Sequence, residues 1–425
     1  MGTTGPTLLW PKGRIGSWLA VAALGIAAQA ILWSISEPAD LFSDFYKAYF
    51  PAADRLLNEG AVATWETTES AAVGFVNLPI LAWLFVPLAL LGEPAAGWAF
   101  LAVGVVAVAV TYVLLLRLGD FDVTRGAMLA LSILASGPLV NSLREGNTTH
   151  FILLLLVVAL LLWRAGAEYA AGLVLGVCAL FKLPLMLFGL YVLLRGRWRI
   201  VAGGATTIGA AALLSLAVFG LQINIDWYRN CIDPFIGGVM PAFNVQSIDG
   251  FLARLESGPA LLMEWTPLAA SLWHKIVRSL VLSAMFILAF VAMVRGGDRS
   301  ATGGRPFERV ALEFSIVLVL AVVTSPVSWS HYYLLMLLPW ALYLGGRLGL
   351  PDDAATRWLM VGGIVLASLP VIVPPLGSGI VAAVTSRTIV SAWMFGGLLV
   401  LAALLRGALH ADQPSAEAKR QAAAP

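Results

Sequence analysis

Charge and cysteine are what this chain has least of. Only 12% of its 425 residues are Asp, Glu, Lys or Arg, about half the share of a soluble domain. With 60% hydrophobic residues and a mean hydropathy of +0.88, a soluble globular class is excluded and a membrane protein with many spans is implied. A net charge of +2 offers no basic field to nucleic acid. Two cysteines, Cys178 in an apolar run and Cys231 in a loop, give neither a disulfide framework nor a metal spacing. Four scattered histidines do not make a structural zinc site. The first apolar run, from about Ile15 to Ile35, is too long for the core of a cleaved signal and reads as a retained helix. The end of the chain, "ADQPSAEAKRQAAAP", is the one low-complexity stretch, and 406–425 reads as a disordered cytoplasmic tail.

Thirteen apolar runs follow one another from about residue 15 to 405, so parity decides the topology. The run 77–92, "NLPILAWLFVPLALLG", is short and carries Pro79 and Pro87. If it dips into the outer interface without crossing, and the N-terminus is cytoplasmic, 17 of the 26 basic residues fall inside. If it crosses, 17 fall outside. The positive-inside rule selects the first arrangement. The expected fold is therefore an all-α polytopic membrane bundle of about 12 transmembrane helices, one domain over 1–405 with both termini cytoplasmic. Residues 37–94 form a first external loop and 222–275 a second. The inner face receives short basic connectors such as "RGRWR", and the outer face receives the long loops and most of the unusual residues. The site is expected outside.

The stretch "FSDFYKAYF", residues 42–50, puts a carboxylate among five rings just after the first span. Leu41, Phe42, Phe45, Tyr49, Ala52, Ala53, Leu56 and Leu57 recur at helical spacing, while Asp44 and Lys47 point to another face, near Asp40. Pro51 should kink or divide this helix. Such an amphipathic segment lies in the interface, its rings at headgroup depth, and holds Asp44 at the water–lipid boundary. A plain alternative is that Asp44 favours the helix dipole or pairs with Lys47.

Several further motifs follow in order. They are the dip ending in "VPLALLGEP", "REGNTTHFILLLLVVALLL", "FKLPLMLFGLYVLLRGRWR", "NVQSIDGFLARL" and "SPVSWSHYYLLMLLPWALYL". Over about residues 15–346 the chain resembles the bacterial polyprenol-phosphate-sugar glycosyltransferases of family 87, multi-pass enzymes of the GT-C superfamily. It is similar to actinobacterial mannosyltransferases that extend phosphatidylinositol mannosides. The resemblance implies a GT-C-like bundle in the bacterial inner or cell membrane with its active site on the external or periplasmic face. It implies transfer of a hexose, most simply mannose, from a polyprenyl-phosphate-sugar donor to a lipid-linked or glycolipid acceptor, with inversion. An early external Asp serves such enzymes as general base, which maps onto Asp44. Two positions depart from the family pattern, Val76-Asn77-Leu78-Pro79 at the dip and Gly146-Asn147-Thr148 in the glycine loop, and both bear on acceptor and sugar.

That chemistry requires a base for the acceptor hydroxyl and stabilisation of a phosphate that gains charge as it leaves. Lys182, between two short apolar runs, is the first candidate for the phosphate, because a lysine at that depth is costly unless used. Snorkelling to the headgroups is its alternative. Arg144, His331 and Lys47 are the other candidates, with an Arg144–Glu145 pair the competing reading for the arginine. Tyr46, Asn147, Gln246, Ser247 and Trp329 are candidate sugar or acceptor contacts, against capping, turn and belt roles. "DFD", Asp120 to Asp122, mimics a nucleotide-sugar metal motif but falls in a cytoplasmic turn with Arg117 and Arg125, where ion pairing explains it. No cofactor is expected. Besides the donor, the acceptor and membrane lipids, no partner is implied.

Two other classes stay open. A lipid or solute transporter or flippase would show repeat symmetry and mid-membrane charges. A surface-glycan ligase or polymerase would use a lipid diphosphate and place a second arginine opposite Lys182. For the transferase, chelation with EDTA should leave turnover unchanged; loss with EDTA and recovery with Mg²⁺ or Mn²⁺ would overturn the metal-free expectation.

Overall fold

A helix that is apolar on every side must be covered on every side. Phe307–Thr324 is such a helix, with every residue from Val310 to Val323 buried, and the bundle is built around it. The computed structural model describes residues 15–35, 41–65, 74–295, 307–371 and 377–410. Asp40, the basic residues Lys12, Arg14, Arg299, Arg305, Lys419 and Arg420, and the expected tail from 411 onward lie outside the described residues. The last helix runs to His410, a few residues beyond the expected boundary at 405.

Each apolar run of the sequence becomes a helix or a joined pair of helices, so the all-α class holds. Among the described residues the only sheet is a two-residue antiparallel pair, Gly238–Val239 with Leu268–Ala269, in the second loop. Among the described residues, four helices are long and apolar enough to cross a bilayer unaided: Ala95–Leu118, Trp198–Phe235, Leu272–Val294 and Gly379–Leu409. The pair Val123–Leu134 and Gly137–Arg144, bent by 48°, makes a fifth. Thr149–Arg164, Glu168–Phe181, Leu183–Leu194 and Ala354–Ala367 are apolar but 10–17 residues long, short of the roughly 20 that span the hydrocarbon core. The run 77–92 is a 3-10 helix, Pro79–Phe85, followed by one α turn, Val86–Ala89. It is broken where the prolines stand.

Close crossings hold the bundle together. Glu168–Phe181 lies against Trp198–Trp227, where a Cβ on Gly172 or Gly203 would meet the other backbone at 2.1 Å. Small residues are what let membrane helices approach so closely. At the far end of Trp198–Trp227, Gly220 adopts φ 74°, a left-handed turn open to glycine, and the chain bends there toward the second loop.

One charged knot lies inside. Glu313, fully buried on Phe307–Thr324, accepts from Tyr191 Oη at 2.9 Å, from Arg195 at 2.7 and 3.0 Å, and from Arg309 Nε at 2.8 Å. Both arginines also donate to the Met293 carbonyl. Removing the carboxylate leaves two mostly buried guanidiniums without their counter-charge. Glu313→Ala should cost about 3–5 kcal/mol, read as a lowered thermal midpoint in detergent, with Glu313→Gln intermediate.

Candidate active site

The segment after the first helix is fixed by backbone, not by its rings alone. Phe42 N donates to Arg144 O at 2.7 Å, and Asp44 N and Phe45 N donate to Glu145 O at 2.9 and 3.1 Å. Phe42 holds φ 64°, a left-handed conformation that is strained for a bulky residue, and this turns the chain into the π-helix Phe45–Tyr49. Asp44 stands at its N-cap. The helix changes to α at Phe50–Asn58 with Pro51 in its first turn, which is the division expected at that proline. Gly146 answers from the other side. With φ +69°, and with its missing Cβ only 2.6 Å from Phe45 Cβ, it is a position where a side chain does not fit. This contact brings the glycine loop against Asp44.

The rings find protein rather than headgroups. Phe45 lies 4.9 Å from Phe100, Tyr49 stacks on Phe85 at 4.7 Å, and Phe42 meets Trp98 edge-on at 5.3 Å. The broken dip and the start of Ala95–Leu118 supply that surface. Leu41 and Leu57, the ends of the expected stripe, are exposed.

Asn147 joins the polar groups. Its Nδ2 donates to Asp44 Oδ2 at 2.7 Å. Its Oδ1 accepts from Thr149 N at 3.0 Å, Thr149 Oγ1 at 2.7 Å and Lys182 Nζ at 3.2 Å. The amide can face only one way without losing these bonds. It separates a carboxylate from an ammonium that are both drawn out of water. Lys182 is 5% exposed, at the C-cap of Glu168–Phe181, and its ammonium lies 4.4 Å from the centre of the Tyr332 ring, a cation–π contact. Snorkelling is thereby excluded for this lysine.

Electrostatics follow from that burial. Desolvation raises the Asp44 carboxyl above its ordinary value, while the Asn147 hydrogen bond and the charges of Lys182 and Lys47 act against it. Desolvation pushes Lys182 down, to about 7, against the pull of Asp44 and Glu145. Burial thus biases both groups, of opposite ordinary charge, toward neutrality.

His331 completes the cluster. It begins the 3-10 helix Ser330–Met336 and is buried, with Nδ1 3.4 Å from Glu145 Oε2. Its Nε2 has no hydrogen-bond partner among the described residues. One ligand atom each from Asp44, Glu145 and His331 falls within 4.8 Å of the others, a spacing that would also admit a divalent ion. The DFD carboxylates are spent elsewhere. Asp120 pairs with Arg347 at 2.8 Å, not with Arg117 as the turn suggested, and Asp122 caps the helix Val123–Leu134 and lies 3.8 Å from Arg125.

A sequence model described as Glycosyltransferase family 87 matches residues 75–326, more than half of the chain. The chain belongs to glycosyltransferase family 87. A polyprenol-phosphate-mannose-dependent alpha-(1-2)-phosphatidylinositol mannoside mannosyltransferase of Mycolicibacterium smegmatis is 28% identical over 299 residues, 66% of this chain and 64% of that protein. Its namesake in Mycobacterium tuberculosis is 27% identical over 307 residues, 69% of this chain and 66% of that protein. The match thus spans just under two thirds of the length of either relative. Among solved structures, ArnT from Cupriavidus metallidurans bound to undecaprenyl phosphate superposes with a TM-score of 0.43 at 12% identity, over 93% of this chain and 77% of that one.

In the family 87 chain, Glu145, Asn147 and Lys182 lie inside the matched range, and Asp44 and His331 lie outside it. Other residues singled out from the sequence sit apart from the cluster. Arg144 stacks over Trp33 at 5.3 Å and donates to its carbonyl. Lys47 is exposed. Tyr46 bonds the start of Ala95–Leu118, through Pro94 O at 3.2 Å and Gly97 N at 3.1 Å. Gln246 is fully buried and donates to Phe243 O and Val390 O, and Ser247 caps the helix Ile248–Ser257. Trp329 bridges Val245 and packs on the second loop. Sequence reasoning missed Tyr332 and Thr149 as site residues and weighed Glu145 only as a partner for Arg144. The adjacency of Tyr332 to His331 was the one available signal.

Because the Asn147 amide holds the proton affinity of Asp44 down, Asn147→Leu should raise it further. A group that works ionised then loses activity at a higher pH as pH falls. The acidic limb of kcat/KM should move to higher pH than in wild type, and an unmoved limb would detach Asn147 from Asp44.

Proposed function

We propose that this family 87 protein is an inverting, metal-independent membrane mannosyltransferase. It takes its sugar from a polyprenyl-phosphate-mannose donor and passes it to a lipid-linked or glycolipid acceptor at the external face of a bacterial cell membrane. The donor chemistry carried by the names of its relatives, polyprenol-phosphate-mannose, supports this reading. The observation that carries it is the Asp44–Asn147–Lys182 chain: a base and a cation held apart by one amide, beneath a loop at the expected outer surface.

In this reading the acceptor hydroxyl gives its proton to Asp44 as its oxygen attacks the anomeric carbon. The electron pair of the anomeric C–O bond stays with the phosphate, whose growing charge Lys182 offsets. Burial that raises Asp44 makes it a stronger base, and the arriving phosphate restores the full charge of Lys182. A lipid monophosphate needs no metal when a buried ammonium is available. About twelve spans with both termini cytoplasmic put the site outside, where lipid donor and acceptor reach it by lateral diffusion. Tyr332, under the ammonium, and Asn147 line the place for the sugar.

The test is transfer by purified protein in nanodiscs, from polyprenyl-phosphate-[¹⁴C]mannose to membrane lipid extract. Asp44→Asn should lower kcat about 10²–10⁴-fold with KM little changed, and Lys182→Ala should raise the donor KM and lower kcat together. Label that only changes leaflet in liposomes, with no transfer, would replace the enzyme by a flippase. Transfer that survives Asp44→Asn would keep the enzyme and discard the base.

A further inference from the structure

Glu145 is the residue through which the Asp44 loop and His331 meet. Its carbonyl oxygen receives the backbone N–H groups of Asp44 and Phe45, and its carboxylate, 14% exposed, faces His331 Nδ1 at 3.4 Å. A carboxylate 3.4 Å from Nδ1 favours the tautomer that carries its proton on that nitrogen and restrains the ring. Nε2 is then the only ring atom left to act, and it is buried without a partner among the described residues. The ring is confined further because its neighbours in sequence are engaged. Ser330 Oγ accepts from Asn141 at 3.1 Å, and the Tyr332 ring lies against Lys182.

Charge argues for what Nε2 meets. Asp44 and Glu145 are two carboxylates beside the buried Lys182, with Lys47 exposed at the edge, so an incoming phosphate adds a third negative group where Lys182 is the buried lysine. Burial and the nearby Lys182 and His150 disfavour a doubly protonated His331 ring while no second anion is at hand. A phosphate arriving across the ring from Glu145 would favour it, and the ring would then donate to both anions.

We propose that Glu145 is a positioning residue that holds His331 by Nδ1 so that Nε2–H is presented to the phosphate of a lipid-linked monophosphate, opposite Lys182. The inference rests on the donor chemistry of the proposed function, but it needs no sugar transfer to be tested. The probe is undecaprenyl phosphate, with undecaprenol as the control lacking the phosphate, titrated against purified protein in nanodiscs. Wild type should bind the phosphate lipid and not the alcohol. Glu145→Ala and His331→Ala should each weaken binding about tenfold or more, and the double variant should bind no worse than His331→Ala alone. Glu145→Gln keeps an oxygen for Nδ1–H and should stay within about threefold of wild type, and it serves where Glu145→Ala does not fold. Thermal midpoints are taken for every variant.

Wild-type-like affinity in Glu145→Ala overturns the proposal, as do multiplying losses in the double variant. So does an equivalent of divalent metal in the purified protein whose removal abolishes binding, because the carboxylate would then serve the ion and not the ring. Binding with these dependences in a protein that transfers no mannose would retain the clamp and reject the transferase. Transfer that ignores Glu145 would do the reverse.

Discussion

One amide holds the site together. Asn147 separates a carboxylate and an ammonium that would otherwise collapse into an ion pair, and it satisfies both. A direct Asp44–Lys182 bridge would occupy both the carboxylate and the ammonium. Through Asn147 the two share a hydrogen-bonded path instead. Neighbouring residues serve this placement. Thr149 pins the amide oxygen, Gly146 lets the loop close, and the strained Phe42 turn aims Asp44 inward.

The second constraint is the fully apolar helix at the centre. Since Val310 to Val323 are covered on all sides, neighbouring helices are arranged around them. The Glu313 knot lies on the same helix near its start, among residues the sequence assigns to the inner face. The two polar clusters differ in kind. The Glu313 carboxylate accepts from Tyr191, Arg195 and Arg309, whereas the Asp44 cluster contains an imidazole nitrogen with no hydrogen-bond partner among the described residues and two groups biased toward neutrality. Saturation suits a structural joint, and incomplete saturation suits a site that receives a ligand.

The monophosphate-linked lipid of the proposed function would suit such a site: its tail would keep it in the bilayer beside the helices, and its headgroup would bring one anion to a buried lysine. The aromatic packing of the first loop gives that loop a rigid floor, so Asp44 is held in place before substrate arrives.

Composition alone determined the helical membrane class, since 12% charge cannot cover a soluble surface of this size. Periodicity located the helices, and the divided helix at Pro51 and the broken dip at Pro79 and Pro87 followed from the missing N–H of proline. Asp44, Asn147, Lys182 and His331 were legible because polar residues flanking apolar runs are few and resemble a known order of motifs. Tertiary structure alone decided which of them meet. Arg144 is next to Glu145 in sequence yet lies over Trp33, while Glu145 meets His331 far along the chain. Gln246 and Ser247 proved to be joints of the second loop. Local pattern fixes the face and depth of a side chain, but a hydrogen bond between residues 100 or more positions apart depends on how whole helices pack. No local period records that.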